Sequence, residues 1–236
     1  MPKLLVISDT HIKPSNTGAS VWQMLAKYCL KTKPEYIIHL GDVADLDSQS
    51  RLIANRGDFS LEYEIEVVRI VLEIFHSVFK EYNDRQRHNK KKMYRPKMIL
   101  TLGNHDVRNG ITNIQDLFES YGWTVYDYLE PVQIEGITFA HCMHKGLSDS
   151  VCTTAQELLD NWHGTIVVGH GHHKDFYESY SVATKKTITA LRSPCFMSEG
   201  SAWAIQTKNK WSKGFTEIDT DPFNFVWRNM ECLYRI

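Results

Sequence analysis

Short apolar runs recur along this chain, and each of them stops at a polar cluster. Leu4-Leu5-Val6-Ile7 precedes Ser8-Asp9, Tyr36-Ile37-Ile38 leads through His39-Leu40 into Gly41-Asp42, and Met98-Ile99-Leu100-Thr101-Leu102 precedes Gly103-Asn104. Ile137-Thr138-Phe139-Ala140 precedes His141, and Thr165-Ile166-Val167-Val168 precedes Gly169-His170. Runs this short and this rich in β-branched residues predict buried strands. Helical patterns lie between several of them. Val21, Met24, Leu25 and Tyr28 fit one apolar face, as do Leu61, Ile65, Val68, Leu72, Phe75 and Phe79, because residues three, four or seven apart line one side of a helix. A further helix is expected to start with Thr153 or Thr154 as its cap and to run through Leu158-Leu159,. Alternation of strand and helix predicts an α/β layered fold. After His172 the texture changes to strand-like segments with turns at Lys185-Lys186, Lys213-Gly214 and Asp221-Pro222, which predicts a mostly antiparallel sheet closing the domain.

Bulk properties narrow the class without naming a function. A chain of 236 residues with 42% apolar residues can bury a sizeable core, and its length suits a single domain over 1–236 with a helical and basic insert at about 46–97. A net charge of -1 argues neither for nor against a polyanionic partner, so only local charge can decide. The five cysteines, Cys29, Cys142, Cys152, Cys195 and Cys232, are odd in number and lack a C-x-x-C spacing. That pattern fits reduced thiols in a cytosolic protein better than a disulfide framework or a thiolate zinc site. The apolar run after Met1-Pro2-Lys3 is too brief for a secretory segment,, and no stretch approaches the ~20 apolar residues that span a bilayer. A soluble cytoplasmic protein with no membrane partner is expected.

One local charge feature stands out. Arg85-Gln86-Arg87-His88-Asn89-Lys90-Lys91-Lys92, with Arg95 and Lys97 beyond it, follows the long second helix. Such a run ordinarily faces water. Its functional alternative is a flap or rim that attracts an anionic substrate.

The polar clusters carry the chemistry. Asp9-x-His11, Gly41-Asp42-Val43-Ala44-Asp45, Gly103-Asn104-His105-Asp106, His141 and Gly169-His170-Gly171-His172 each fall at the carboxyl end of an expected strand. In open α/β sheets, that edge is where binding crevices form. Asp, Asn and His supply oxygen and imidazole donors, suited to manganese, iron, zinc or magnesium rather than to a thiolate site. Residues two apart at a strand end can face the same side, so Asp9 with His11, or His170 with His172, can serve one cluster.

The ordered set D-x-H, G-D-x-x-D, G-N-H-D, H, G-H-x-H over residues 9–172 resembles the signature of the calcineurin-like metallophosphoesterases. Asp106 stands where many relatives carry Glu. The resemblance implies a four-layer α/β/β/α sandwich of two mixed sheets, with two divalent cations at its centre. Asp9, His11 and His172 are then expected to hold the first cation, Asn104, His141 and His170 the second, and Asp42 to bridge both. Manganese is the expected metal, with iron, zinc, magnesium or nickel as alternatives. By the same resemblance the cation pair clamps the phosphoryl group and activates a bridging water as the attacking hydroxide. His105 is then the general acid for the leaving oxygen, and Asp45 is its carboxylate partner.

Arg108 is a candidate for the scissile phosphate through its planar fork. His39, His144 and His173 are expected to be structural. Trp203, Trp211 and Trp227 are expected to pack the closing sheet, with base stacking as the alternative.

The expected activity is hydrolysis of a phosphate ester, with a nucleotide as substrate of a phosphatase or phosphodiesterase. Three other readings remain open: a DNA exonuclease of the same superfamily, with nucleic acid as partner; a catalytically inactive interaction scaffold; and a metal-dependent amidohydrolase, whose usual H-x-H opening differs from the D-x-H of this chain. Leu46 follows Asp45 where protein Ser/Thr phosphatases continue R-G, which disfavours that activity. The tail around Trp211-Ser212-Lys213-Gly214-Phe215 resembles small phage-type members, for which the location is the host cytoplasm.

Overall fold

The computed structural model describes residues 3–50, 58–110, 113–182, 185–197 and 211–235. Its first sheet contains β1 (Lys3–Ile7), β2 (Tyr36–His39), β3 (Lys97–Thr101), β4 (Thr124–Tyr126), β10 (Gly214–Thr220) and β11 (Phe223–Asn229) in the order β11-β10-β1-β2-β3-β4. The second contains β5 (Val132–Ile134), β6 (Ile137–Ala140), β7 (Ile166–Val168), β8 (Asp175–Ser181) and β9 (Lys186–Arg192) in the order β5-β6-β7-β9-β8. Strands β1 to β4 run parallel, and β10 and β11 join them antiparallel. In the second sheet β6, β7 and β9 run parallel between antiparallel β5 and β8.

Alternation along β1 shows how the layers form. Leu5 and Ile7 point to a core shared with α1 (Ala19–Thr32), α2 (Leu61–His88) and α3 (Asn113–Ser120). Leu4 and Val6 point the other way, to a core between the sheets with Ile38, Phe139, Val167 and Leu191. A third core joins Ile166, Val168 and Ala190 to Leu158 and Ala155 of α4 (Ala155–Asn161). Successive side chains on a strand face opposite sides, so three apolar layers between two sheets and two sets of helices give the four-layer α/β/β/α sandwich.

The helices begin where capping chemistry allows. Ser60 caps α2 by accepting from the Tyr63 N–H at 3.3 Å, and Thr154 caps α4 by accepting from the Glu157 N–H at 3.2 Å. Helix α2 runs on to His88 and so includes the start of the basic stretch. Ion pairs between Lys80 and Asp84, Glu81 and Arg85, and Asp84 and Arg87 support its last turns, where cations also complement the helix dipole.

One expectation changes. The region after His172 does not form one closing sheet: β8 and β9 make a hairpin on the second sheet, while β10 and β11 make one on the first. Antiparallel texture cannot say which sheet edge each hairpin joins, because both edges need a strand. The structure also bears on the alternative reading of the basic stretch. It lies at the amino end of β3, whereas Asn104 follows that strand's carboxyl end. Helix α2 starts near the loop after Asp45 and carries the chain away from it, so these cations do not form a rim around the polar clusters.

Helix α2 also holds a pH-sensitive packing contact. His76 Nε2 accepts the Trp123 indole N–H at 3.0 Å, and burial lowers its pKa to about 4. A folded value below the unfolded ~6.5 means that this contribution is present above ~6.5 and is lost as pH falls toward ~4. Between near-neutral pH and about pH 5, His76→Gln is expected to remove about 2 kcal/mol of the wild type's acid sensitivity. Urea unfolding at both pH values checks this; parallel losses in the two proteins would remove His76 from that role.

Candidate metal centre

Backbone geometry brings the polar clusters together at the carboxyl ends of β1, β2, β3, β6 and β7. Asp9, His11, Asp42, His170 and His172 all have positive φ, at 52°, 46°, 51°, 65° and 58°. Positive φ is uncommon away from glycine, and Asp and His tolerate it better than most residues. Such outliers persist where the surrounding structure enforces them, and they cluster at functional sites. Two glycines make the close approach possible. A Cβ on Gly103 would sit 2.2 Å from both the Asp42 amide nitrogen and Asp42 Oδ1, and one on Gly41 would sit 2.5 Å from the Gly103 nitrogen. Gly103→Ala is therefore expected to cost about 1–3 kcal/mol by overpacking and to displace Asp42. A melting curve together with a cation titration checks both effects.

Two sets of acceptors form around Asp42. In the first, His172 Nε2 lies 3.3 Å from Asp9 Oδ1 and 3.2 Å from His11 Nε2. In the second, His141 Nε2 lies 3.1 Å from Asn104 Oδ1 and 3.1 Å from His170 Nδ1. Asp42 Oδ2 faces both sets, 3.9 Å from His11 Nε2 and 3.4 Å from His141 Nε2. Its other oxygen accepts the His105 N–H at 2.8 Å.

The tautomers decide what these sets can hold. His141 Nδ1 lies 2.6 Å from the Leu40 carbonyl oxygen, which can only accept, so Nδ1 carries the proton. His11 Nδ1 is likewise given to Asp45 Oδ1 at 2.6 Å. In the neutral rings both Nε2 atoms are therefore bare lone pairs aimed at other acceptors. Buried acceptors facing each other without a proton between them are unfavourable unless a cation sits among them. Asp9, His11 and His172 form one group able to hold an ion, and Asp42, His141 and His170 form another. Nitrogen and oxygen donors of this kind fit two divalent first-row cations.

With no cation among these atoms, the electrostatics place a proton there instead. Burial opposes charge on His11 and His141, yet the facing carboxylates of Asp45 and Asp42 raise both to about 9. Asp42 and Asp9 are held below the ordinary carboxylate range despite burial, through His141 and His172 respectively. The cluster is a strongly cation-seeking well.

The neighbouring groups are placed differently from expectation. Asp45 gives its carboxylate first to His11, and its second oxygen meets Lys13 Nζ at 3.2 Å. His105 Nδ1 is 3.6 Å from the Asp45 carboxylate and 3.2 Å from the Asp45 carbonyl oxygen, to which it donates. His105 Nε2 accepts from Arg108 Nη2 at 3.0 Å, while Arg108 Nη1 donates to the Asp45 carbonyl at 2.6 Å. Burial lowers the His105 pKa, so this ring rests neutral. Arg108 thus stands beside His105 at the half-buried margin of the cluster, where both can meet an anion.

Supporting residues fill the remaining contacts. Asp106 accepts the Val43 N–H at 2.9 Å and the Gly103 N–H at 2.8 Å, tying the loop after β2 to the loop after β3. His39 is buried, accepts the Gly41 N–H at 3.1 Å and stacks on Trp22, with burial lowering its pKa to about 3. His144 forms a bridge with Val151 and belongs to neither acceptor set among the described residues. Trp227 packs against Phe225 and Phe176. Trp211 instead lies with its ring 4.4 Å from that of His172, at the edge of the cluster. Trp203 falls outside the described residues. Lys13 escaped the sequence reading, although its place two residues after His11 offered a signal.

Comparison with known proteins places this geometry in a family. The family model for calcineurin-like phosphoesterases matches residues 2–194. No curated protein sequence gives a significant match. Among solved structures, TT1561 of Thermus thermophilus is 9% identical with a TM-score of 0.50, over 97% of this chain and 99% of that one. Yfce, a phosphoesterase from E. coli, is 14% identical with a TM-score of 0.48, over 98% and 94%. The Pseudomonas putida nuclease MPE is 14% identical with a TM-score of 0.41, over 94% and 87%.

Proposed function

Because this chain belongs to the calcineurin-like phosphoesterase family and is a hydrolase of phosphate esters, we propose that Asp9, His11, Asp42, Asn104, His141, His170 and His172 hold two divalent cations, manganese first among them, and that its substrate is a nucleotide. The observation that carries the cation pair is Asp42 Oδ2, an oxygen turned toward both acceptor sets. When bound, such a pair neutralises the charge of a phosphoryl group and lowers the pKa of water toward ~7.

The chain's own residues then position and protonate. His11 and His141 are oriented through their Nδ1 protons by Asp45 and Leu40, so their donor nitrogens need no reorganisation,. Arg108 presents its guanidinium and His105 its Nε2 at the margin of the cluster, where an anionic ester would displace their mutual hydrogen bond. An approaching phosphate favours the charged imidazole, and His105 Nε2 then carries the proton that the leaving oxygen takes. Water supplies the oxygen that bonds to phosphorus as the ester oxygen departs.

His105→Ala is expected to retain cation binding and to slow alkyl esters by about 10²–10⁴-fold, with a smaller effect on nitrophenyl esters, whose leaving group needs no proton. Steady-state rates over a leaving-group series check this; an unchanged alkyl-ester rate removes His105 from the acid role.

The nucleotide reading is supported by Trp211, whose ring reaches the edge of the cluster beside His172 and offers an aromatic surface to a base. Phosphate release and product mapping over mononucleotides, cyclic nucleotides and short single- and double-stranded DNA, with Asp42→Asn as blank, tests it. Release from nucleotides supports the reading, shortening of DNA alone replaces it with a nuclease, and silence on every substrate favours the interaction scaffold.

A further inference from the structure

Around the end of α2 some cations are paired and others are not. Arg85 and Arg87 on the helix have carboxylate partners at 3.3 and 3.1 Å. Among the described residues, Lys33, Lys92 and Arg95 have none. These three, with Lys97, line a groove of about 860 Å³ whose walls include Tyr82 and Tyr94. Among the described residues Glu35 is the single carboxylate in its lining, 3.9 Å from Lys97 Nζ.

The groove is built rather than incidental. Lys33 ends α1 in a left-handed conformation, and its Nζ lies 3.7 Å from the Tyr82 ring centroid and 4.5 Å from that of Tyr94. Aromatic faces fix the ammonium without using its N–H donors, so these remain free for an anion. Tyr94 is itself clamped: its hydroxyl donates to the Pro34 carbonyl at 2.6 Å, its N–H donates to Asn83 Oδ1 at 2.8 Å, and Asn83 Nδ2 returns a bond to its carbonyl at 2.9 Å.

We propose that this groove docks a single-stranded nucleic acid, at a site separate from the metal centre. The two lie at opposite ends of β3, and the seven steps from Lys97 to Asn104 span up to about 23 Å at ~3.3 Å per residue. Four cations lining one groove suit the phosphates of a strand. The apolar lining of Pro34, Met93 and Pro96 between them suits sugars and bases, which only a single strand exposes. A duplex would offer phosphates alone and leave that surface unused.

This inference does not depend on the nucleotide reading, since it concerns a different surface. Its test is fluorescence anisotropy with a labelled oligothymidylate of ~20 nucleotides, in EDTA and over a salt series. The wild type is compared with Lys33→Ala/Lys92→Ala/Arg95→Ala and with the milder exposed pair Lys92→Glu/Arg95→Glu. Both variants are expected to bind at least ~10-fold more weakly, and the triple variant's log K against log[salt] slope is expected to flatten by about 2, at ~0.7 per phosphate contact. Melting temperature and nitrophenyl-ester hydrolysis are expected to stay at wild-type values. Equal affinity in wild type and variants, no wild-type binding at low salt, or equally tight binding of a duplex of the same length overturns the proposal. Absent ester hydrolysis with intact strand binding would sink the nucleotide hydrolase and leave this site standing.

Discussion

Asp42→Asn lowers phosphate-ester hydrolysis by about 10³-fold or more, equivalent to roughly 4 kcal/mol of transition-state stabilisation, and it weakens both cation sites together. Asp42 Oδ2 is the atom turned toward both His11 and His141, so this substitution touches both acceptor sets at once. The amide keeps the size of the carboxylate and can still accept the His105 N–H through its oxygen. Loss of charge, rather than loss of shape, is therefore what the variant reports. Cation stoichiometry by calorimetry, read beside the rate, separates this from unfolding. A variant that keeps two tight cations would remove Asp42 from the bridging position.

The second large effect distinguishes two roles for one residue. The family resemblance assigns Asp45 to His105, whereas the geometry gives its carboxylate to His11 Nδ1 at 2.6 Å and leaves His105 at 3.6 Å. A carboxylate behind a ligating histidine fixes the ring and its tautomer, and losing such a partner typically costs ~10–100-fold in cation affinity. Asp45→Ala is accordingly expected to weaken cation binding by ~10–100-fold. Saturating cation should restore much of the rate, because the Asp45 backbone carbonyl still accepts from His105 Nδ1 at 3.2 Å. Cation titrations followed by rate measurements decide between the roles. Unchanged cation affinity with a leaving-group-dependent rate loss would return Asp45 to His105.

Much of the architecture was legible because each strand must satisfy two cores. The β1 run alternates Leu4 and Val6 toward one layer with Leu5 and Ile7 toward another, and a strand packed on both sides can only read as a continuous apolar run. The site clusters were legible because each one terminates such a run. Other features depend on contacts that sequence spacing does not encode. The chain does not reveal that β9 pairs parallel to β7 while β10 crosses to β1, since both are ordinary strand patterns after turns. Helix α3 buries only Ile114 and Phe118 along its Asn113–Ser120 span, too short a repeat to stand out. The Arg85–Lys92 charges left a substrate rim open as the alternative to a solvated run because sequence distance hides direction; α2 carries them to the far end of the sheet. Asp45 and His11 meet through a side-chain choice between two nearby imidazoles, and residue types alone do not make that choice.

Cation dependence of ester hydrolysis tests the central claim most directly. Bis-p-nitrophenyl phosphate and p-nitrophenyl phosphate would be offered to the wild type and to Asp42→Asn, each stripped with EDTA and then supplied with Mn²⁺, Fe²⁺, Zn²⁺, Mg²⁺ or Ni²⁺. The account predicts no turnover after stripping, restored turnover by the wild type with at least one cation, and turnover at least ~10³-fold slower by Asp42→Asn with any. Turnover that survives stripping, or equal rates in the two proteins, would contradict it.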